Sequence, residues 1–246
     1  MILSEDGWLS IAHPSIIECC HSNRPRPVIR FTSVKQTMKP KTKKPISPQR
    51  AAHQVRIIGG QWKRSLLSVI DAEGLRPTPD RVRETTFNWL NHLVDAHWAP
   101  VTCLDLFAGS GALGFEAASR GAAQVVMVES HTPAFKQLEQ VKAKLQANQC
   151  QLIRGDAGKV VAHAAAQGQR FDVIFLDPPF EQGWLEKLLP ACKEIIHPKS
   201  CVYVESEFAL DPESPDENMQ ALLSGWRLIR ADKAGSVYFH ILQCNI

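Results

Sequence analysis

The stretch Asp105-Leu106-Phe107-Ala108-Gly109-Ser110-Gly111-Ala112-Leu113-Gly114 separates a short apolar run, Cys103 to Phe107, from a helical one, Ala112 to Arg120. Its glycines therefore fall on a strand-to-helix turn. Glycine there lets the backbone turn tightly and approach a ligand, while the first helical turn presents amides that have no acceptor within the helix. Gly109 to Gly114 fits the spacing G-x-G-x-x-G, and Glu129 closes the next apolar run, Gln124 to Glu129, where an acid that binds ribose is expected. Taken alone, the loop would accept NAD.

Two further acids favour S-adenosylmethionine. Asp105 opens the loop, where a carboxylate suits a cationic methionine moiety or its ordered water and would repel a pyrophosphate. The third apolar run, Cys150 to Arg154, leads into Gly155-Asp156-Ala157, which can supply an acceptor for an adenine amino group and a neighbouring amide. Each acid alone also suits a helix cap or a solvated loop. Together, at the ends of successive strands, they point to one nucleoside site. The cofactor set expected is Asp105, Phe107, Gly109, Gly111, Glu129, Asp156 and Ala157.

Outward from the loop, strands and helices alternate. Pro133 to Ala147 carries Phe135, Leu138, Val141 and Leu145 at helical spacing. A fourth strand is expected at Asp172 to Leu176, a helix over Leu185 to Ile196, and a fifth strand at Cys201 to Glu205. Trp226 to Ala231 and Ser236 to Gln243 form a terminal hairpin around Lys233-Ala234-Gly235. Such alternation predicts an α/β fold, a doubly wound, mostly parallel sheet with helices on both faces and an antiparallel addition at one edge. Upstream, Val55 to Arg64 and Leu66 to Ile70 suggest a basic β-hairpin. Thr78 or Asp80 is expected to cap a helix with Val82, Phe87, Leu90 and Leu93 on its apolar face.

Asp177-Pro178-Pro179-Phe180 follows the fourth strand, at the carboxyl edge where ligands collect. A nucleobase amine is a poor nucleophile because its lone pair is delocalised into the ring. The Asp177 carboxylate and Pro178 carbonyl can each accept an amine hydrogen, orienting the nitrogen and favouring a pyramidal geometry. The prolines stiffen the backbone, and Phe180 offers a face on which a base can stack. Catalysis would rest on positioning for in-line transfer, with no metal, on an unpaired or flipped base. A proline-stiffened turn is the competing structural reading.

The formal net charge of +3 hides an asymmetry. Cys19 to Ile70 holds twelve Lys/Arg and no Asp or Glu, whereas Asp71 to the end holds sixteen against twenty-two, a balance of −6. A basic arm is drawn to phosphate by counterion release, although a solubilising tail would share its composition. The segment up to about Arg50, rich in proline and lysine, is expected to be disordered. Met38 is a candidate translation start, which would make residues 1–37 an over-extension. The seven cysteines show no C-x-x-C spacing, against zinc or a disulfide framework, and fit a reducing cytoplasm. No apolar run approaches a membrane span.

Asp105 to Gly114 and Asp177 to Phe180 resemble motifs I and IV of the class I amino-methyltransferases, which act on adenine N6, guanine N2 or glutamine N5. Val55 to Trp62, Leu75 to Leu90, Val202 to Glu207 and the Lys233-Ala234-Gly235 turn further resemble the bacterial 16S rRNA (guanine(966)-N2)-methyltransferase family, in its order, from about Val55 to Gln243. The resemblance implies a Rossmann-like, seven-stranded sheet with S-adenosylmethionine as methyl donor. It implies methylation of a guanine N2 in 16S rRNA of an assembled or nearly assembled small subunit. Gly109, Gly111, Glu129 and Asp156 would hold the cofactor and Asp177 to Phe180 the guanine. Arg56, Arg76, Arg81 and Arg83 would lie near cofactor or RNA, and Lys233 would touch RNA.

The expected organisation is an arm over 1–54, a hairpin and helix over 55–98, and a catalytic domain over 99–246, acting as a cytoplasmic monomer. Lys63-Arg64-Ser65 departs from the family's Arg-Gly-Arg-like turn. The alternatives are an adenine-N6 methyltransferase on DNA or RNA, and a ribosome-assembly factor that binds RNA without turnover.

Overall fold

The computed structural model describes residues 54–69 and 78–245. The basic arm, the Met38 start and Arg76 lie outside the described residues.

A parallel strand covered on both faces needs consecutive apolar residues, which the two-residue repeat then sorts between the faces. The central strands have that composition: β3 (Thr102–Asp105), β4 (Gln124–Glu129), β5 (Cys150–Arg154), β6 (Phe171–Leu176) and β7 (Ile196–Ser206). With β8 (Trp226–Ala234) and β9 (Val237–Cys244) they form a seven-stranded sheet in the order β5-β4-β3-β6-β7-β9-β8. Pairing is parallel from β5 to β7 and antiparallel at β7–β9 and β9–β8. The expected fold class and edge hairpin are thus present.

Cys103, Val125, Met127, Val173, Phe175 and Tyr203 face one core, while Leu104, Val126, Val128, Ile174, Leu176 and Val202 face the other. The first core is closed by α1 (Asp80–Leu93), α2 (Ala112–Ser119) and α3 (Thr132–Leu145), the second by α4 (Ala157–Ala166), α5 (Trp184–Cys192) and α6 (Glu217–Leu223). β1 (Gln54–Arg56) and β2 (Leu66–Ser68) pair antiparallel, and Ile57 and Leu67, both fully buried, join the first core. The hairpin and α1 therefore share a core with the sheet.

The hairpin is tied to α2 through polar groups. The Ile58 and Gly59 amides donate to the two oxygens of Glu116 at 2.6 and 2.8 Å, and Trp62 N–H donates to Ser119 Oγ at 2.9 Å. Gly60 has φ +73°, and a Cβ there would stand 1.8 Å from the Ser119 carbonyl oxygen, so only glycine permits the approach.

Several local expectations are corrected. α1 begins at Asp80 with Pro79 as its N-cap and no side-chain cap, because the Thr78 hydroxyl is engaged elsewhere. The helix expected over Leu185 to Ile196 ends at Cys192, and a 3-10 turn over Lys193–Ile195 leads into the longer β7. A register shift between Phe171 and Val173 admits the first part of that strand, where Ser200 Oγ accepts from His197 N–H and donates to the Phe171 carbonyl. α6 was not anticipated. It is short and capped by Asp216, which accepts from the Asn218 amide at 2.9 Å.

Candidate active site

The strand order reverses between β3 and β6, which opens a crevice at their carboxyl ends. Asp105 ends β3, and its register partner Phe175 lies two residues before Asp177. The glycine loop and the Asp-Pro-Pro-Phe segment thus flank one switch point.

On the loop side, Gly111 adopts φ +79° as the N-cap of α2, and a Cβ there would stand 2.4 Å from the Phe115 ring. Asp105 is buried and accepts the Gly114 amide through Oδ2 at 3.0 Å, while its buried Oδ1 has no partner. Burial pushes its carboxyl up to about 7, against the pull of the backbone amides. Glu129 accepts the Gly109 amide at 2.8 Å and the His131 amide at 2.6 Å. Asp156 caps α4 by accepting the Lys159 amide at 3.0 Å, so the helix-cap reading of this acid is realised. Ala157 opens α4, where helix geometry leaves the amide without an intrahelical acceptor.

These residues fit S-adenosylmethionine. A buried carboxylate oxygen without a partner is costly in a protein interior and marks a place for a cationic or donor group. Glu129 and the Gly109 amide would meet the ribose side, and Asp156 with Ala157 the adenine side. Phe107 packs edge-on against Trp184 at 5.5 Å, joining the loop to the start of α5.

On the other side, Asp177 is half-buried, Pro178 buried, and Phe180 exposed at 38%. Pro178, Pro179, Phe180, Trp184, Glu205 and Phe208 line one recess. Burial, then repulsion from Glu205 and Asp105, raises the Asp177 carboxyl well above the usual carboxylate range. Thr78 Oγ1 lies 3.0 Å from Glu205 Oε1 and 3.4 Å from Asp177 Oδ2, and the Tyr203 hydroxyl donates to Glu205 Oε1 at 2.7 Å.

Sequence reasoning misses Thr78 and Glu205 as residues of this site. Thr78 has the composition of a cap because it precedes a helix. Glu205 carries a usable signal, an acid that follows the apolar run Cys201 to Val204.

The basic residues divide. Arg83 is fully buried, and its guanidinium donates to the Arg56 carbonyl at 2.9 Å and to Asp80 Oδ1 at 2.6 Å. The expected role of Arg83 in touching RNA is corrected, because its donors serve the hairpin and the start of α1. Arg56 is exposed but pairs with Asp80 at 2.6 Å. Arg81 and Lys233 are exposed, Lys233 bonding the Tyr238 hydroxyl at 2.7 Å.

Among the described residues no helix is long and apolar enough to cross a membrane, and no group of three or more His, Cys, Asp or Glu could hold a metal ion. A seven-stranded, mostly parallel sheet with this loop and this tetrapeptide at its switch point defines a class I S-adenosylmethionine-dependent methyltransferase. Residues 55–243 match the family described as Conserved hypothetical protein 95. The chain is 39% identical to ribosomal RNA small subunit methyltransferase D of Escherichia coli K12 over 193 residues, covering 77% of this chain and 90% of that protein. The Haemophilus influenzae protein of the same name is 35% identical over 204 residues, covering 81% of this chain and 99% of its own length. A solved Escherichia coli structure described as methyltransferase yhhF superposes with a TM-score of 0.64 at 37% identity, covering 78% of this chain and 98% of that one. The chain belongs to the ribosomal RNA small subunit methyltransferase D family.

Proposed function

We propose that this protein transfers a methyl group from S-adenosylmethionine to the exocyclic N2 amine of a guanine in 16S rRNA, within an assembled or nearly assembled small ribosomal subunit. The observation that carries the reading is the placement of Asp177, Pro178, Pro179 and Phe180 across the switch point from Asp105, so that an amine bound at the tetrapeptide faces the cofactor crevice. The relatives' name supplies ribosomal RNA of the small subunit as the substrate class.

S-adenosylmethionine supplies a methyl group made electrophilic by the sulfonium charge. The protein's part is mainly geometric. Asp177 and the Pro178 carbonyl accept the two amine hydrogens, which turns the nitrogen lone pair towards the methyl carbon. Phe180 stacks on the extruded base, and the prolines fix the backbone between these groups. Glu129 and Asp156, on successive strand ends, hold the nucleoside in register with them. The exposed side chains of Arg56, Arg81 and Lys233 supply the phosphate contacts.

The test is transfer of labelled methyl to small subunits from cells lacking this gene, followed by nucleoside analysis. N2-methylguanosine at one site supports the reading. N6-methyladenosine would replace it with an adenine enzyme, and cofactor binding without transfer would replace it with a non-catalytic assembly factor.

A further inference from the structure

The Thr78 hydroxyl sits between two carboxyl groups, 3.0 Å from Glu205 Oε1 and 3.4 Å from Asp177 Oδ2. A hydroxyl has one hydrogen to give. It can donate to one of these groups only, and the contact on its other side becomes favourable when that carboxyl is protonated and donates to Oγ1. The set is therefore satisfied by one shared proton in either of two arrangements. In one, Asp177 holds the proton and Thr78 donates to ionised Glu205. In the other, Glu205 holds it and Thr78 donates to ionised Asp177.

The surroundings keep this proton within the set. Glu205 is 4% exposed, and its Oε1 also accepts from Tyr203 at 2.7 Å. Asp105 faces Asp177 from the end of β3, and Arg83 on α1 and Tyr203 on β7 face Glu205. Burial raises both carboxyls, and repulsion from Glu205 raises Asp177 further, which disfavours the doubly ionised pair. The Tyr203 and Thr78 hydroxyls and the charge of Arg83 pull Glu205 back down.

We propose that Glu205 is a positioning residue which, through Thr78, takes the resting proton off Asp177, so that Asp177 meets the substrate amine as a bare carboxylate. In this relay the Asp177 O–H bond breaks as an O–H bond forms on Thr78 Oγ1, and the original Thr78 hydrogen moves to Glu205 Oε1. The sulfonium charge of a cofactor held in the crevice would favour that arrangement. As the amine lone pair forms the N–C bond, the C–S bond breaks and its electron pair leaves with sulfur. The surplus proton on nitrogen then passes to Asp177. Sulfonium, Asp177 carboxylate and neutral Glu205 become thioether and two neutral carboxyls, so net charge is conserved. The inference rests on the amine-methylation reading, but any nucleobase amine would need the same relay.

Three variants test it: Glu205→Gln, Thr78→Val and Thr78→Ser, each compared with the unaltered protein for single-turnover methyl transfer across pH. An infrared titration of the protonated-carboxyl band is made on the same proteins without cofactor. Glu205→Gln leaves Asp177 as the one carboxyl of the set, so the upper step of the pair's band titration should be lost. Thr78→Val removes a donor to Asp177 and breaks the relay, so the limb should move to higher pH and transfer at neutral pH should fall about tenfold or more. Thr78→Ser should restore unaltered behaviour. Rates lowered at every pH, with neither limb nor band changed in Glu205→Gln and Thr78→Val, would overturn the relay and leave both residues structural. Should either fail to fold, the band titration of Thr78→Ser against the unaltered protein decides, an altered titration counting against the relay. Methylation by the unaltered protein at a base other than guanine would defeat the functional reading alone, because the cofactor-free titration still decides the relay.

Discussion

The two halves of the crevice satisfy their carboxylates differently. On the cofactor side, Asp105, Glu129 and Asp156 are met by backbone amides within 20 residues in sequence: Gly114, Gly109, His131 and Lys159. On the base side, Asp177 and Glu205 are met by side chains, and Thr78 comes from 99 and 127 residues away. A carboxylate held by its own loop is set once the local backbone folds. One held by a distant hydroxyl depends on α1 docking against the sheet, so the base side should be the more sensitive to changes elsewhere in the molecule.

The sharpest separation should come from Asp177→Ala, which removes the acceptor proposed for the amine. Methyl transfer should fall on the order of 10³-fold while cofactor affinity, measured calorimetrically, stays within about twofold. An equal loss of cofactor binding would erase the distinction between the two halves.

Asp105 gives the next effect, one that depends on pH. Its folded pKa of about 7 lies above the ordinary aspartate value of 3.8, so the folded state holds this proton over a range in which the unfolded chain has released it. Stability from this group is complete below about pH 4 and is lost as pH rises through about 7, by roughly 2–4 kcal/mol. Denaturant melts of Asp105→Asn should show that slope flattened. Cofactor affinity, which favours the ionised carboxylate, should rise through the same window in the unaltered protein only. An unchanged slope in Asp105→Asn would place the titration elsewhere.

Arg83→Met should destabilise the fold by about 2–3 kcal/mol by leaving the Arg56 carbonyl and Asp80 Oδ1 without their donor. On the reading above it should also reduce transfer more than cofactor affinity, since Arg83 anchors the segment that carries Thr78. A larger effect on affinity would reverse the asymmetry. The smallest effect should be that of Glu129→Ala, weakening the cofactor about tenfold, or roughly 1.4 kcal/mol, with little change in turnover at saturation.

The same division explains which parts were legible beforehand. The strands around the loop announce themselves through apolar runs that end in glycine and an acid, and those signals are local. The first turn of α1 misleads because Thr78 beside a helix start has the composition of a cap, yet the hydroxyl finds a stronger use in a buried site. Arg83 misleads in the same way. An arginine among other arginines suggests a solvated, RNA-facing row, and only the docking of the hairpin buries it. Glu116, within the apolar Ala112–Ser119 helix, is likewise explained only by the hairpin amides it receives. α6 escaped notice because seven residues give little periodicity to read.

By itself the sequence determined the alternating fold, the glycine loop with its three acids, and the Asp177 to Phe180 tetrapeptide on which the amine-methylation proposal rests. Periodicity, turn residues and strand-end acids are properties of neighbouring residues, so they survive without coordinates. Tertiary structure alone decided that Thr78, Arg83, Tyr203 and Glu205 gather behind Asp177. Protonation and orientation there depend on burial and on contacts between segments about 100 residues apart, which no local pattern encodes.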